Sequence, residues 1–136
     1  MRQSYNSSYY PPIPALETRL YSSITDQFAG PFLAVLDTGS DATLVPLAPL
    51  LTIGAEETAP GWMIGITGDR QPVSLYFVDI YIDNLAFPGI RVIAGENSQE
   101  IILGRDVLNK LPLFLDGIQQ QTTLLDDAIV RRLRLR

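Results

Sequence analysis

The chain has 136 residues, of which 46% are hydrophobic, and a formal net charge of -5. It is long enough for one compact domain with a hydrophobic core and too short for two ordinary ones. It contains no cysteine and no histidine, which excludes disulfides, a thiol nucleophile, a Ser/His or Cys/His couple and the commonest zinc ligand. Any chemistry therefore depends on carboxylates, hydroxyls, lysine or arginine.

Charge and hydropathy patterns narrow the class of protein further. No apolar run approaches the roughly 20 residues that span a bilayer, and the N-terminus has no signal-peptide pattern, so we expect a soluble, cytoplasmic protein. Four of the ten basic residues fall in the last six positions, and the remaining acidic body argues against a nucleic-acid partner. With no phosphate loop and no cluster of metal ligands, we expect neither a cofactor nor a metal site.

In chain order, residues 1–14 are polar and rich in proline, which predicts a flexible arm. The alternation in residues 15–21 predicts a half-exposed strand, and the apolar run at 32–36 predicts a buried one. Residues 42–45 predict a further short strand. Two apolar segments, 61–66 and 73–82, are joined by a glycine-containing tip and predict a hairpin.

The later elements complete a mainly β pattern. They are strands at 89–94 and 100–103, one short helix at 105–111 that Pro112 ends, and a second hairpin at 113–125. The pattern predicts one domain at 15–125 that forms a small closed or partly open β-barrel with one short helix. A basic tail at 126–136 follows, and such tails are usually frayed and solvated.

Asp37 is the candidate catalytic group. It follows the apolar run at 32–36 and begins the sequence Asp37-Thr38-Gly39, so we expect a carboxylate on a tight turn at the end of a buried strand. Gly39 allows another backbone to approach closely, and the Ser40 hydroxyl can hydrogen-bond to the carboxylate. By itself an Asp-Thr-Gly turn is weak evidence, because Asx turns with glycine close loops in many β proteins.

Two further segments give the motif a context. The sequence Ile-Ile-Leu-Gly-Arg-Asp-Val-Leu at 101–108 lies downstream, with Gly104 67 positions after Asp37, and the sequence Trp-Met-Ile-Gly-Ile-Thr-Gly at 62–68 lies between the two. Together these resemble the retropepsin family of aspartic proteases, in which an Asp-Thr-Gly run precedes an apolar Gly-Arg-Asp/Asn segment by about 60 to 70 residues. The resemblance spans residues 32–115 and implies a barrel of the acid-protease type with one lobe per chain.

The resemblance also implies roles for individual residues. Asp37, Thr38 and Gly39 would form the catalytic motif, supported by Ser40 and by a pair between Arg105 and Asp41. A hairpin flap would close over the substrate. Its residues would be Met63, Ile64, Gly65, Ile66, Thr67 and Gly68. The alternative for this segment is an ordinary hairpin without a functional role, in which Trp62 and Ile64 belong to the core.

The function implied is an aspartic endopeptidase. Such chemistry uses two carboxylates that share one proton, and this chain has one Asp-Thr-Gly, so a homodimer would place Asp37 beside its own copy. The water held between them would hydrolyse a peptide bond of an extended polypeptide without a covalent intermediate. The alternative is a catalytically silent dimeric peptide-binding or scaffold module with the same fold.

Overall fold

A computed structural model describes residues 1–135, and its regular elements are twelve short strands and three short helices. The strands are β1 (Arg2–Ser4), β2 (Ala15–Ser22), β3 (Gln27–Leu36), β4 (Leu44–Pro46), β5 (Glu56–Glu57), β6 (Gly61–Ile64), β7 (Arg70–Val73), β8 (Leu75–Ile82), β9 (Leu85–Gly95), β10 (Ile102–Leu103), β11 (Leu113–Asp116) and β12 (Gln121–Leu124). The helices are α1 (Leu47–Thr52), α2 (Arg105–Leu108) and α3 (Asp127–Arg134). Within residues 1–135, no helix is long and apolar enough to cross a bilayer.

Six strands close into a barrel. Their order is β2-β3-β10-β4-β9-β8, and β8 pairs again with β2, so that the sheet closes on itself. The short β5 pairs with another part of β8. The alternation predicted for residues 15–21 is present in β2, where Leu16, Thr18 and Leu20 are buried while Glu17 and Arg19 are exposed. This period-2 pattern directs one face of each strand into the core. The predicted mainly β barrel is confirmed.

The position of β10 explains why two distant sequence segments meet. β10 lies between β3 and β4 and runs parallel to β3, with Val35 opposite Ile102 and Leu36 opposite Leu103. The carboxyl ends of parallel neighbours emerge at the same edge of a sheet. The residues that follow, Asp37 after β3 and Gly104 after β10, therefore lie side by side.

A second sheet is formed by the two ends of the chain. Its order is β1-β12-β11, with all pairs antiparallel. The second predicted hairpin is confirmed as β11 and β12, although its turn is longer than the sequence indicates, because Asp116 Oδ1 accepts hydrogen bonds from the backbone N–H groups of Ile118 and Gln119. The segment predicted as a flexible arm contributes β1, because β12 offers it a row of backbone partners.

The structure differs from the sequence prediction in one hairpin. The predicted segment at 73–82 is divided, since Val73 ends β7 and β8 begins at Leu75. β7 pairs with β6 from Gly61 opposite Val73 to Ile64 opposite Arg70. The prediction contains no strand at residues 70–72, because most side chains of this hairpin are exposed and its return strand has no apolar alternation.

The helices also differ from the prediction. α2 ends at Leu108, earlier than the predicted residue 111, and two hydrogen-bonded turns replace its last part. α1 and α3 were not predicted. α1 has no side-chain cap, whereas α3 lies inside the predicted basic tail and begins where Asp126 Oδ1 accepts from Ile129 N at 2.9 Å. Arg136, the last residue of that tail, lies outside the described residues.

Candidate active site

The loop between β3 and β4 contains the Asp-Thr-Gly sequence. The backbone N–H of Asp37 donates to the Leu103 carbonyl at 3.0 Å, so the end of β3 is attached to β10 at the point where the strand stops. The Asp37 side chain itself is exposed, as are Thr38 and Gly39. The barrel therefore presents the carboxylate at the surface of the single chain.

A compact turn orients the Asp37 carboxylate. Gly39 N donates to Asp37 Oδ1 at 2.8 Å, and Ser40 N donates to the Asp37 carbonyl at 3.2 Å. A Cβ at Gly39 would lie 3.0 Å from Asp37 Oδ1, so a larger residue would crowd the carboxylate. The predicted bond from Ser40 to this carboxylate is wrong, because Ser40 Oγ donates to the Ala42 carbonyl at 2.6 Å, an acceptor within its own loop.

Gly104 allows the two motif segments to touch. A Cβ at this position would lie 2.5 Å from the Ala42 carbonyl oxygen and 2.9 Å from the Ser40 carbonyl oxygen, which is closer than any real Cβ can approach a backbone oxygen. The next residue, Arg105, donates its N–H to Ser40 O at 2.8 Å. Glycine is therefore required where α2 crosses the Asp37 loop.

A side-chain network that was not predicted also joins the start of α2 to the segment that follows the Asp37 loop. The buried Thr43 donates from Oγ1 to Asp106 Oδ1 at 2.7 Å and from its backbone N–H to Asp106 Oδ2 at 3.1 Å. Gly104 N donates in turn to Thr43 Oγ1 at 3.1 Å. The sequence signal for this network was a threonine between apolar residues shortly after the Asp-Thr-Gly motif, together with an aspartate in the Gly-Arg-Asp segment.

Arg105 has a different partner from the one expected. Its Nη1 donates to the Thr38 carbonyl at 2.7 Å, and within residues 1–135 no ion pair joins it to Asp41. The predicted pair is therefore not formed in this chain, because Asp41 lies instead on the wall of a neighbouring cleft. Arg105 still supports the loop, since it holds the carbonyl that follows Asp37.

The hairpin formed by β6 and β7 occupies the place of the predicted flap. At its tip, Gly65 N donates to the Asp69 carbonyl at 3.0 Å and Gly68 N donates to the Gly65 carbonyl at 2.9 Å. Gly68 has a φ of +84°, in the region that favours glycine. Ile66 at the tip is fully exposed, and Ile64 is 65% exposed.

A cleft of about 410 Å³ separates this hairpin from the Asp37 loop. Its walls are Asp41 and Ala42 from the loop, six residues of β6, β7 and β8, and two residues of β9. Those from the hairpin and β8 are Gly61, Trp62, Met63, Ile64, Val73 and Leu75, and those from β9 are Arg91 and Ile93. Met63 and Ile64 thus line the cleft, whereas Ile66 does not.

Trp62 and Arg91 of the cleft differ from the sequence predictions. The interpretation of Trp62 as a core residue is wrong, because it is 63% exposed and the guanidinium of Arg70 lies 5.6 Å from its ring centroid. Arg91 was not considered. It shares one face of β9 with Ile93, two residues on, and this spacing was the signal available.

The site has one exposed motif carboxylate, on the loop whose residues Asp41 and Ala42 line the cleft. The chain carries a single Asp-Thr-Gly, so one copy supplies one such group. The exposed Asp37 carboxylate, which accepts one hydrogen bond from the backbone N–H of Gly39, can accept a proton from a water. The cleft under the hairpin has both polar and apolar lining residues.

Comparisons with known proteins agree with this geometry. The family model "retroviral aspartyl protease" matches residues 14–116. A retropepsin-like aspartic protease from Rickettsia conorii has a similar structure, with a TM-score of 0.59, 11% sequence identity, and coverage of 91% of this chain and 88% of that one.

A second solved structure is also similar. It is the EIAV protease in complex with the inhibitor HBY-793, with a TM-score of 0.56, 20% identity, and coverage of 79% of this chain and 93% of that one. No curated protein sequence matches the chain at a significant level. The two structures share the fold, and the family model covers most of the chain. The chain therefore belongs to the retroviral aspartyl protease family.

Proposed function

We propose that two copies of this chain form an aspartic endopeptidase in which both Asp37 carboxylates act on one water. The observation that carries this proposal is the placement of Asp37, which lies exposed on a glycine turn that β10 and α2 hold from behind. One carboxylate would take a proton from the water as the water oxygen attacks the scissile carbonyl carbon, while the protonated copy donates its proton to the carbonyl oxygen. The proton taken from the water then passes to the amide nitrogen as the C–N bond breaks, and the carbonyl re-forms by returning its proton to the other carboxylate.

The cleft supports an extended polypeptide as the substrate. A strand lying between the hairpin and the Asp37 loop would form backbone hydrogen bonds, which tolerate many sequences, while alternate side chains enter the pockets. Met63 and Ile64 would cover it and exclude water. Asp41 and Arg91 lie on the walls of the same cleft and would contact the polar groups of the substrate.

The decisive test is the Asp37→Asn variant, which keeps the size of the side chain and removes its ability to accept a proton. We expect kcat/KM on a peptide library to fall about a thousandfold or more, while sedimentation still detects a dimer. Asp83→Asn is the matched control, because Asp83 occupies an exposed turn with φ of +54° that asparagine also accepts. It should retain full activity.

The competing function is a dimeric module that binds peptides without cutting them. If the wild type forms a dimer, binds peptides and cleaves none of them between pH 3 and pH 8, the peptidase proposal is wrong and the silent module is supported. Equal activity of wild type and Asp37→Asn would indicate that a contaminating enzyme cuts the peptides.

A further inference from the structure

Arg91 differs from the other arginines of the barrel and hairpin in having no partner. Four arginines lie between residues 15 and 125. Arg19 and Arg70 each lie over an aromatic ring, and Arg105 donates to a backbone carbonyl. Arg91 makes no hydrogen bond, ion pair or ring contact with any of residues 1–135. The N–H donors of its guanidinium are therefore available to a ligand.

The alternation of β9 directs Arg91 away from the core. Ile90 and Val92, on either side of it, are buried, whereas Arg91 is exposed. Ile93, two residues on, lies on the same face of the strand as Arg91. Both residues line the cleft between the hairpin and the Asp37 loop. Arg91 therefore contributes a positive charge to the wall of that cleft.

The surroundings of Arg91 favour an anionic ligand. Arg91 and Asp41 are the charged residues among those described that line the cleft, and no ion pair joins them. The remaining lining residues are glycine, aliphatic residues, methionine and tryptophan. A charge beside apolar groups interacts more strongly with an opposite charge than it does in water. A guanidinium also matches a carboxylate in geometry, because the two can form parallel hydrogen bonds.

We propose that Arg91 is a specificity-determining residue of the cleft, which selects polypeptides with a glutamate or aspartate at one position of the bound segment. The proposal rests on the proposed function in one respect, since it takes the cleft to hold a polypeptide, but it does not require cleavage. The acidic side chain pairs with the guanidinium. In an extended strand alternate side chains share a face, so the residue two positions away contacts the apolar part of the wall.

The charge preference is confined to that one position. Outside the last six positions the chain has 6 basic and 15 acidic residues, since four of its 10 basic residues lie in those six. An acidic body does not attract acidic polypeptides over long distances. Arg91 therefore acts by direct contact, and Asp41 on the same cleft disfavours a second acidic side chain beside the first.

The test measures binding, so that it does not depend on cleavage. Peptides of about eight uncharged residues receive Glu, Gln or Lys at one position at a time and are titrated into the Asp37→Asn variant at about pH 6.5, well above the ordinary glutamate pKa of about 4.3. We expect one position at which Glu binds about tenfold more tightly than Gln, which has the same shape, and at which Lys binds more weakly than Gln. Added salt should reduce this preference.

Charge reversal at Arg91 identifies the residue responsible. In the Arg91→Glu variant, the preference at the same position should invert, so that Lys binds about tenfold more tightly than Glu. Arg91→Gln should bind all three peptides about equally. Arg19→Glu is the matched control, because it makes the same change of charge at an exposed strand position outside the cleft, and it should keep the preference for Glu. Circular dichroism establishes that each variant is folded.

The outcomes separate this inference from the peptidase proposal. A preference for Glu that inverts in Arg91→Glu, in a protein whose wild type cleaves no peptide, would support the inference and contradict the peptidase. Cleavage without a preference for Glu at any position, or a preference that Arg91→Glu leaves unchanged, would overturn the inference alone. A preference for Lys that disappears in Asp41→Asn would also overturn it, because Asp41 would then select the charge. Failure of every peptide to bind at millimolar concentration would overturn it too.

Discussion

Thr43 connects the Asp37 loop to the α2 segment. Its hydroxyl donates to Asp106 and accepts from Gly104 N, and its side chain is completely buried. Thr122 is equally buried, yet its hydroxyl has no partner within residues 1–135. The same substitution should therefore have opposite effects on the free energy of unfolding at the two threonines, because a buried hydroxyl stabilises the fold only when it is hydrogen-bonded.

Replacement of each threonine by valine tests this difference. Thr43→Val should lower the free energy of unfolding by about 2 to 4 kcal/mol, because Asp106 and the Gly104 N–H both lose a partner. Thr122→Val should leave that free energy unchanged or raise it by up to about 1 kcal/mol. Urea denaturation followed by circular dichroism measures both, and an equal loss in the two variants would contradict the argument.

At the scale of single elements, the strands β6 and β7 have extensive contacts with each other and with no other strand of residues 1–135. Its tip depends on Gly68, whose φ is +84°, while Gly65 has ordinary dihedral angles and open space around its Cα. A hairpin with few contacts to the barrel has low local stability. Small changes at the tip should therefore alter the fraction of molecules in which the hairpin is formed, without unfolding the protein.

We expect Gly68→Ala to cost about 1 kcal/mol locally, because alanine is strained at this φ. The backbone N–H of residue 65, which donates to Asp69 O, should then exchange with deuterium about fivefold faster. Gly65→Ala is the matched control and should exchange like the wild type at this hairpin. Equal exchange in both variants would show that the turn does not depend on a positive φ.

At the scale of the whole molecule, a site shared between two copies makes activity depend on concentration. Below the dissociation constant, the dimer concentration rises with about the square of the monomer concentration. Specific activity should therefore fall on dilution. Two copies joined by a flexible linker form the control, because the linker sets a fixed effective concentration, and their specific activity should not change. A wild type whose specific activity is constant across the dissociation range would contradict a shared site.

The sequence alone determined the barrel, the Asp37 turn and its downstream glycine segment, because a period of two, glycine turns and motif spacing are local properties. It also contained the signals for α3, namely the Asp126 cap and the arginines of the last turn. Those arginines are equally typical of a frayed basic tail, which was the prediction. The sequence could not indicate β7, whose exposed strand has no apolar period.

Only the tertiary structure decided which groups meet. Ser40 and Arg105 donate to the backbone carbonyls of Ala42 and Thr38 instead of the expected carboxylates, because the fold places these carbonyls beside them. Likewise Thr43 and Asp106, 63 positions apart, are joined because β10 lies between β3 and β4 in the barrel. The pairing of β1 with β12 was also decided by the tertiary structure, since it joins the two ends of the chain and has no local pattern in the sequence.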